Sequence, residues 1–407
     1  MALDAITPAL RTPPEGLAWF AGHVAITRAL IDASRVAVVV AGVSGLVGLH
    51  TRGAFAALTV ASFYLFGCSE LVGAARHNMH LLWFTALLAV SPSGSRWSVD
   101  AARGRAPEEP LNATRALWIA RALLAVVYFF PGYWKLREAG LHWVFSDNLR
   151  SQMYWKWFQN AWMPPLRIDR YPSLVRAGAG SVLLLELGFP FLLLGPRGRT
   201  IAAAGGLAFH LFANAFMRLG FSSLWWCYAP LLPVGRLVRW LYDGAPEPAP
   251  QGPERRPLSL FLVGALLVGA NVVQGFRGAV QAWPFACYPT FQYEARPEMP
   301  DLVVTAKLAG GDEQTLYGGT RGLVYRDPRD WGTLWKLLGA YGGPPRADGL
   351  RTFFARLVES GQAAPAPSST RVLRFHRAEF SVVPEARGRG PVLDVVVAEA
   401  ALSDAAR

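Results

Sequence analysis

The sequence predicts a mainly α-helical fold: a polytopic transmembrane helix bundle of about eight spans, followed by a small C-terminal soluble α+β domain. Composition is the first reason, because 52% of the 407 residues are hydrophobic and only 17% are charged. An average soluble domain has about 25% charged residues, so this chain has too little polar surface to cover itself. The mean hydropathy of +0.24 agrees with a membrane protein. The same composition excludes disordered, collagen-like and coiled-coil classes.

The distribution of charge divides the chain into two predicted domains. Residues 1–276 carry 24 Lys and Arg against 14 Asp and Glu, whereas residues 277–407 carry 16 against 14. The first part is therefore the expected transmembrane domain and the second the expected soluble domain. Positive charge between apolar segments favours contact with the anionic headgroups of a lipid bilayer. The sequence has no basic stripe with interleaved aromatic residues, so nucleic acid is not an expected partner.

Eight segments are apolar enough to cross a bilayer, which requires about 20 residues. The fourth and the eighth are the most apolar, whereas the third is short and the first contains Asp32 and Arg35. Counts of seven or nine spans remain alternatives. The eight segments are residues 28–49, 54–74, 79–92, 114–134, 174–195, 200–217, 221–241 and 258–276.

An aromatic stretch, Gln152–Trp162, lies between the fourth and fifth segments and is too polar to span a membrane. Tyr and Trp rings favour the headgroup layer, which predicts an interfacial helix anchored to lipid by its aromatic side chains. An aromatic cage around a substrate is the alternative. The aromatic residues are Tyr154, Trp155, Trp157, Phe158 and Trp162.

The C-terminal part shows the patterns of a small α+β unit. Alternation of apolar and polar residues predicts strands, a Gly-Gly-Asp turn predicts a hairpin, and helical periodicity predicts two helices. His376 lies in a predicted strand, where a packing or surface role is expected. The predicted strands are 302–308, 315–317, 371–383 and 392–397, and the predicted helices are 330–338 and 349–360.

Lys135 is the basic residue of greatest chemical interest. Only four of the 40 basic residues are Lys, and this one lies at the end of a strongly apolar segment. A desolvated lysine can lose its proton and act as a base, which an arginine cannot do at biological pH. The alternative is a lysine that extends its amine toward the headgroup layer.

Histidines are the next candidates. His77 and His80 are three residues apart, on one helical face at the start of the third segment, and His210 lies in the middle of the sixth. An ionisable group at that depth is costly and by default indicates function. The alternative for His210 is a neutral side chain hydrogen-bonded to a neighbouring helix.

The acidic residues near these histidines raise the question of a metal. Glu70 or Glu186 is a candidate third ligand beside His77 and His80. Neither lies at a sequence spacing typical of a metal site, so no metal is predicted. Glu186 lies in an apolar run, where it would be protonated unless paired. Arg121 is the candidate partner for Glu186.

Three segments resemble the HTTM domain, a family that includes vitamin K-dependent gamma-carboxylase. The first is RHNMHLLWFTALLAVSPSGSRWSVD, with a histidine entering a helix and a Ser-x-Asp sequel. The second is YFFPGYWKLREAGLHWVFSDNL, with its lysine–leucine pair and a downstream tryptophan. The third is LELGFPFLLLGPRGRTIAAAGGLAFHLFANAFMRLGFSSLWW, with an acidic residue, a basic turn and then Phe-His. Their order and spacing place the resemblance over about residues 20–240, more than half of the chain.

The resemblance implies a quinol-dependent carboxylase or oxygenase-like enzyme, a lyase. In the family, a lysine base deprotonates a reduced quinone, which reacts with oxygen, and carbon dioxide then adds to a glutamyl side chain of a peptide or protein substrate. Lys135 matches that lysine, His77 best matches the catalytic-site histidine with His80 as the alternative, and His210 matches the Phe-His position.

The chain departs from the family enzyme in two places. Trp134 precedes Lys135 where the enzyme has a second lysine, and the C-terminal part is much smaller than the enzyme's globular part. A non-catalytic membrane module that presents its C-terminal domain to a partner is therefore the alternative function. The motif WPFACYPTF, Trp283–Phe291, resembles a juxtamembrane motif of bacterial membrane proteins, which implies a multi-pass protein of a bacterial inner membrane.

Overall fold

A computed structural model describes the protein over most of its length. Its structure has two parts, a bundle of long apolar helices and a four-stranded antiparallel sheet covered by two helices. This architecture confirms the predicted fold class. The described residues are 8–71, 78–105, 109–232, 257–279, 282–285, 291–319, 329–340, 342–386 and 388–401.

The helices of the first part are α1 (Leu17–His23), α2 (Arg28–Val47), α3 (Thr51–Glu70), α4 (Met79–Val90), α5 (Val99–Ala102), α6 (Pro110–Ala139), α7 (His142–Phe145), α8 (Asn148–Gln159), α9 (Pro172–Leu192), α10 (Pro196–Met217), α11 (Ser222–Trp226) and α12 (Leu258–Arg277). The second part contains β1 (Glu298–Leu308), β2 (Glu313–Tyr317), α13 (Arg329–Leu337), α14 (Ala347–Glu359), β3 (Thr370–Ser381) and β4 (Leu393–Ala401).

Six of the described helices are long and apolar enough to cross a membrane: α2, α3, α6, α9, α10 and α12. Each matches a predicted span. The predicted third span is the 12-residue helix α4, which is short for a bilayer. The predicted span 221–241 begins with the five-residue helix α11 and a short 3-10 turn at Ala229–Leu231, and its residues from 233 onward lie outside the described ones.

Asp100 closes the connection between α2 and α3. Its carboxylate accepts hydrogen bonds from the backbone N–H groups of His50 and Thr51, at 3.0 and 2.8 Å, and from the Thr51 hydroxyl at 2.8 Å. These bonds lower the pKa of Asp100. Ser98 accepts a bond from the N–H of Ala101 and so caps α5. The Ser-x-Asp motif therefore has a structural role in this chain.

Helix α12 packs closely against α6 because glycines face bulky residues. A Cβ atom at Gly264 would lie 2.6 Å from the Ile119 side chain, and one at Gly275 would lie 2.2 Å from the Phe130 ring. The Gly275 carbonyl also accepts a 2.7 Å hydrogen bond from the Trp134 indole. Small residues allow such close approach between membrane helices, where dispersion contacts replace the hydrophobic effect.

Gly275→Ala is expected to destabilise the bundle by about 1–3 kcal/mol, because Phe130 is buried and the added methyl group overpacks the α6–α12 contact. Gly269→Ala is the matched control on the same helix, since a Cβ atom at Gly269 would meet nothing within 4 Å. Equilibrium unfolding in mixed micelles measures both variants. Equal stability of the two would contradict the close packing described here.

The sheet has the strand order β2-β1-β3-β4, and every neighbouring pair is antiparallel. The predicted hairpin, helices and strands of this part are all present. Helices α13 and α14 pack on the sheet with Leu334 and Phe353 buried. The N-terminal segment completes the core: Leu10 is fully buried in it, and the Arg346 guanidinium donates to the carbonyls of Ala9 and Arg11.

Helix α8 connects the two parts, and its aromatic residues pack against protein. Trp157 is fully buried, and Tyr154, Trp155 and Phe158 contact the core of the C-terminal part. The Trp155 and Trp335 rings meet edge to face at 5.6 Å. The predicted anchoring of α8 to lipid by these side chains is therefore wrong, because amphipathic aromatic side chains suit a protein–protein contact as well as a headgroup layer.

Candidate functional site

The site lies in a cavity between α6, α9 and α10 that offers about 850 Å³ of space free of protein atoms, including the space at its open side. Most of its wall is apolar and aromatic, as is usual for ligand pockets. Its ionisable lining residues are His80, Tyr128, Lys135, Glu186 and His210.

Lys135 and Glu186 form a buried pair across α6 and α9. The Lys135 amine donates to both carboxylate oxygens, at 2.7 and 2.8 Å, and the two side chains are only 2% and 5% exposed. Gly132, one turn before Lys135, permits the close approach, since a Cβ atom there would lie 2.9 Å from Glu186 Cβ. The amine also lies 5.3 Å from the centroid of the Trp143 ring.

The predicted pairing of Glu186 with Arg121 is wrong. The Arg121 guanidinium donates instead to the Pro230 carbonyl, at 3.1 Å. Lys135 is about four turns further along α6 and reaches Glu186 because α6 and α9 pack together there. The buried amine thus has a carboxylate partner, and two opposite charges at contact limit the cost of burying either one.

His210 is held by two tyrosines that the sequence reasoning missed. Its Nε2 lies 2.9 Å from the Tyr128 hydroxyl, which also hydrogen-bonds to the Tyr228 hydroxyl. All three side chains are buried. Tyr128 could have been found from spacing, because it lies seven residues before Lys135 and therefore on the same face of α6. Tyr228, in the irregular segment after α11, carried no comparable signal.

The structure brings three of the four predicted site residues to one cavity. His80, at the start of α4, is 2% exposed and lines the cavity together with Lys135 and His210. His77 lies outside the described residues. The catalytic roles of Lys135, His77, His80 and His210 stay predictions. In the described part of the chain, no three His, Cys, Asp or Glu side chains are grouped to hold a metal ion.

One wall of the cavity comes from the segment that leads into the C-terminal sheet. Phe291 lines the cavity, and its carbonyl accepts a 2.7 Å hydrogen bond from the Trp143 indole. The Lys156 amine lies 5.8 Å from the centre of the Phe291 ring and donates to Gln159. Burial lowers the pKa of Lys156 to about 8. The C-terminal part therefore reaches the cavity through its connecting segment.

His376 links neighbouring strands of the C-terminal sheet. Its ring nitrogens lie 2.8 Å from Asp394 and 3.0 Å from the Thr305 hydroxyl, which joins β3 to both neighbouring strands. This agrees with the packing role expected for it.

Comparison with known proteins gives a match within the helical bundle. No curated protein and no solved structure matches the sequence. The family model of the HTTM domain matches residues 25–232, which is just over half of the chain and includes every ionisable residue of the cavity. With six helices able to cross a membrane, the protein is a multi-pass membrane protein. The chain belongs to the HTTM domain family.

Proposed function

We propose that the protein is a quinol-dependent carboxylase or oxygenase-like enzyme, with Lys135 as the base. The observation that supports this most is the buried Lys135–Glu186 pair in an apolar cavity of the membrane part. A lysine amine excluded from water, beside a carboxylate that can take its proton, has the properties required of a general base.

The pair can generate a neutral amine without leaving a charge unpaired. Transfer of one proton from Lys135 Nζ to a Glu186 oxygen breaks an N–H bond and forms an O–H bond. The Nζ lone pair is then free to take a proton from a hydroxyl group in the cavity. The resulting Lys135 ammonium faces the deprotonated oxygen of that hydroxyl group. The attraction between these two charges is strong where water is excluded.

The residues of the cavity suit a reduced quinone. Trp143, Phe209 and Phe291 provide apolar and aromatic walls for a ring. Lys135 and His210 provide polar atoms for its oxygens, and burial keeps bulk water out. A reduced quinone supplies an acidic hydroxyl group and the electrons for a reaction with oxygen; carbon dioxide and a glutamyl side chain of a peptide or protein are the remaining proposed reactants.

Labelled bicarbonate tests this function. Membranes containing the protein are incubated with a reduced quinone and glutamyl peptides, and fixed label and quinone epoxide are measured. Lys135→Ala is expected to lower both by at least about 100-fold, the usual contribution of a general base. Lys307→Ala is the matched control, since Lys307 is exposed on β1. If neither product depends on Lys135 with any acceptor, the proposal fails.

A bacterial inner membrane is the proposed location. The resemblance of Trp283–Phe291 to a motif of bacterial membrane proteins supports it. Fractionation of the source cells, with detection of the protein in the inner-membrane fraction, tests this point.

The second candidate function is a non-catalytic module that presents the C-terminal domain to a partner. The outer strand β4 favours it, because Leu393, Val395 and Val396 are more than 40% exposed on an edge of the sheet. Exposed apolar edge strands are templates for pairing with another chain. If Lys135→Ala kept full cellular function while deletion of residues 298–401 abolished it, this reading would replace the enzyme.

A further inference from the structure

We infer that Tyr128 and Tyr228 are positioning residues that fix the tautomer of His210, so that its Nδ1–H is the hydrogen-bond donor presented to the ligand of the cavity. The inference rests on the proposed function only for the identity of that ligand. The tautomer itself follows from the contacts of three buried side chains.

The three side chains form a linear hydrogen-bonded chain. The Tyr128 hydroxyl lies between His210 Nε2, at 2.9 Å, and the Tyr228 hydroxyl. Their exposed fractions are 3% for Tyr128, 4% for Tyr228 and 2% for His210. Each group must therefore satisfy its polar atoms with protein or ligand partners, because bulk water does not reach them.

Gly206 makes this meeting of hydroxyl groups possible. It lies four residues before His210, on the same face of α10. A Cβ atom at Gly206 would lie 2.5 Å from the Tyr228 hydroxyl oxygen and 3.0 Å from that of Tyr128. Only glycine leaves the space that the two oxygens occupy.

Ring packing holds the chain in this geometry. The Tyr128 ring stacks on Phe189 with centroids 4.0 Å apart and planes 8° from parallel. The His210 ring lies 5.0 Å from that of Phe221. Neither ring can swing away without disturbing a packed aromatic neighbour.

The direction of the two hydrogen bonds follows from the one hydroxyl proton that each tyrosine has to donate. The contact itself allows either hydroxyl to donate. Among the described residues, however, Tyr128 is the only hydrogen-bond partner of the Tyr228 hydroxyl, so the Tyr228 proton has an acceptor only if it points to the Tyr128 oxygen. Tyr128 then donates its own proton to His210 Nε2. A neutral imidazole that accepts at Nε2 carries its proton on Nδ1.

The Nδ1–H group remains for a ligand. His210 Nδ1 is buried and has no hydrogen-bond partner among the described residues, and His210 lines the cavity. A buried donor without a partner is costly, and an oxygen acceptor in the cavity would satisfy it. Tyr128 lies seven residues from Lys135 on α6, about 10 Å along the helix axis. The cavity therefore suits a ligand with a carbonyl or hydroxyl oxygen near His210 and an acidic hydroxyl near Lys135.

Nitrogen-15 NMR of the histidine-labelled full chain in lipid bilayers tests the tautomer, and a His210→Asn spectrum assigns the signal. The wild type is expected to show a protonated Nδ1 and an unprotonated Nε2. Tyr128→Phe is expected to abolish this preference. Tyr228→Phe, which removes only the outer hydroxyl of the same chain, serves if Tyr128→Phe does not fold. Tyr133→Phe, on α6 outside the cavity lining, is the matched control and should keep the wild-type signal.

Binding of menadione, followed by quenching of tryptophan fluorescence, is the second measurement. Tyr128→Phe is expected to weaken binding about tenfold, the value of one hydrogen bond. An unchanged His210 signal in Tyr128→Phe and in Tyr228→Phe would overturn the inference, even if Lys135-dependent carboxylation were found. A tautomer that depends on Tyr128 without menadione binding would support the positioning role while removing the quinone as ligand.

Discussion

Glu186→Leu is expected to destabilise the folded protein by about 3–5 kcal/mol, because it leaves the buried Lys135 amine without its carboxylate partner. The leucine side chain fills a similar volume, so the loss reports the charge rather than a cavity. Lys135→Met is expected to cost a similar amount by leaving the carboxylate alone. Unfolding of the purified protein in mixed micelles, titrated with a denaturing detergent, measures both variants.

The double variant Lys135→Met with Glu186→Leu decides whether the two side chains act as a pair. It is expected to recover most of the stability lost in either single variant, because an apolar pair of similar volume often replaces a buried ion pair without loss. Additive losses would show that the two groups do not interact.

The exposed pair Arg35–Asp32 on α2 is the matched control. Its atoms lie 2.9 Å apart, but the side chains are 55% and 52% exposed. Asp32→Ala is therefore expected to change stability by less than about 1 kcal/mol. A comparable loss in this control would mean that burial is not what makes the Lys135–Glu186 pair important.

Trp157→Ala is expected to destabilise the bundle by about 3–5 kcal/mol, the usual cost of removing a core tryptophan. Trp157 is fully buried, and its indole donates a 2.6 Å hydrogen bond to the Phe216 carbonyl near the end of α10. The Arg167 guanidinium lies 5.4 Å from the ring centroid. The substitution removes the link between α8 and the helix that carries His210.

Trp226→Ala provides the comparison for a surface tryptophan. Trp226 is 82% exposed, so its loss is expected to change the stability by about 0.5 kcal/mol or less. Thermal unfolding of both variants in the same micelles measures the difference. A small effect of Trp157→Ala would contradict the packing of α8 against α10 described here.

The sequence predicts the elements of this fold well where one physical signal dominates. Long apolar runs specify α6 and α12 because burying backbone polar groups in lipid requires a helix. Alternation around a Gly-Gly-Asp turn specifies the β1–β2 hairpin. The aromatic residues of α8 do not reveal what they contact, because the same amphipathic character suits contact with lipid or with another domain. Only packing distinguishes the two.

The site was predictable in its residues but not in its pairings. Lys135, Glu186 and His210 stand out because ionisable groups are rare in apolar runs. Which cation meets Glu186 depends on the rotation and depth of α6 against α9, which no local pattern encodes, and so Arg121 was the wrong choice. No local pattern on its own marks Tyr128 or Tyr228 as a site residue, because tyrosine is common near the ends of membrane helices.

Leu10 has a topological consequence. It is buried in the core of the C-terminal sheet, so the segment at residues 8–12 and the sheet at residues 298–401 must lie on the same side of the membrane. The chain between them therefore crosses the bilayer an even number of times. The six long apolar helices already give an even number of crossings. If α4 or the residues beyond α11 added a crossing, another crossing would be needed to keep the number even. Odd counts such as seven or nine are excluded.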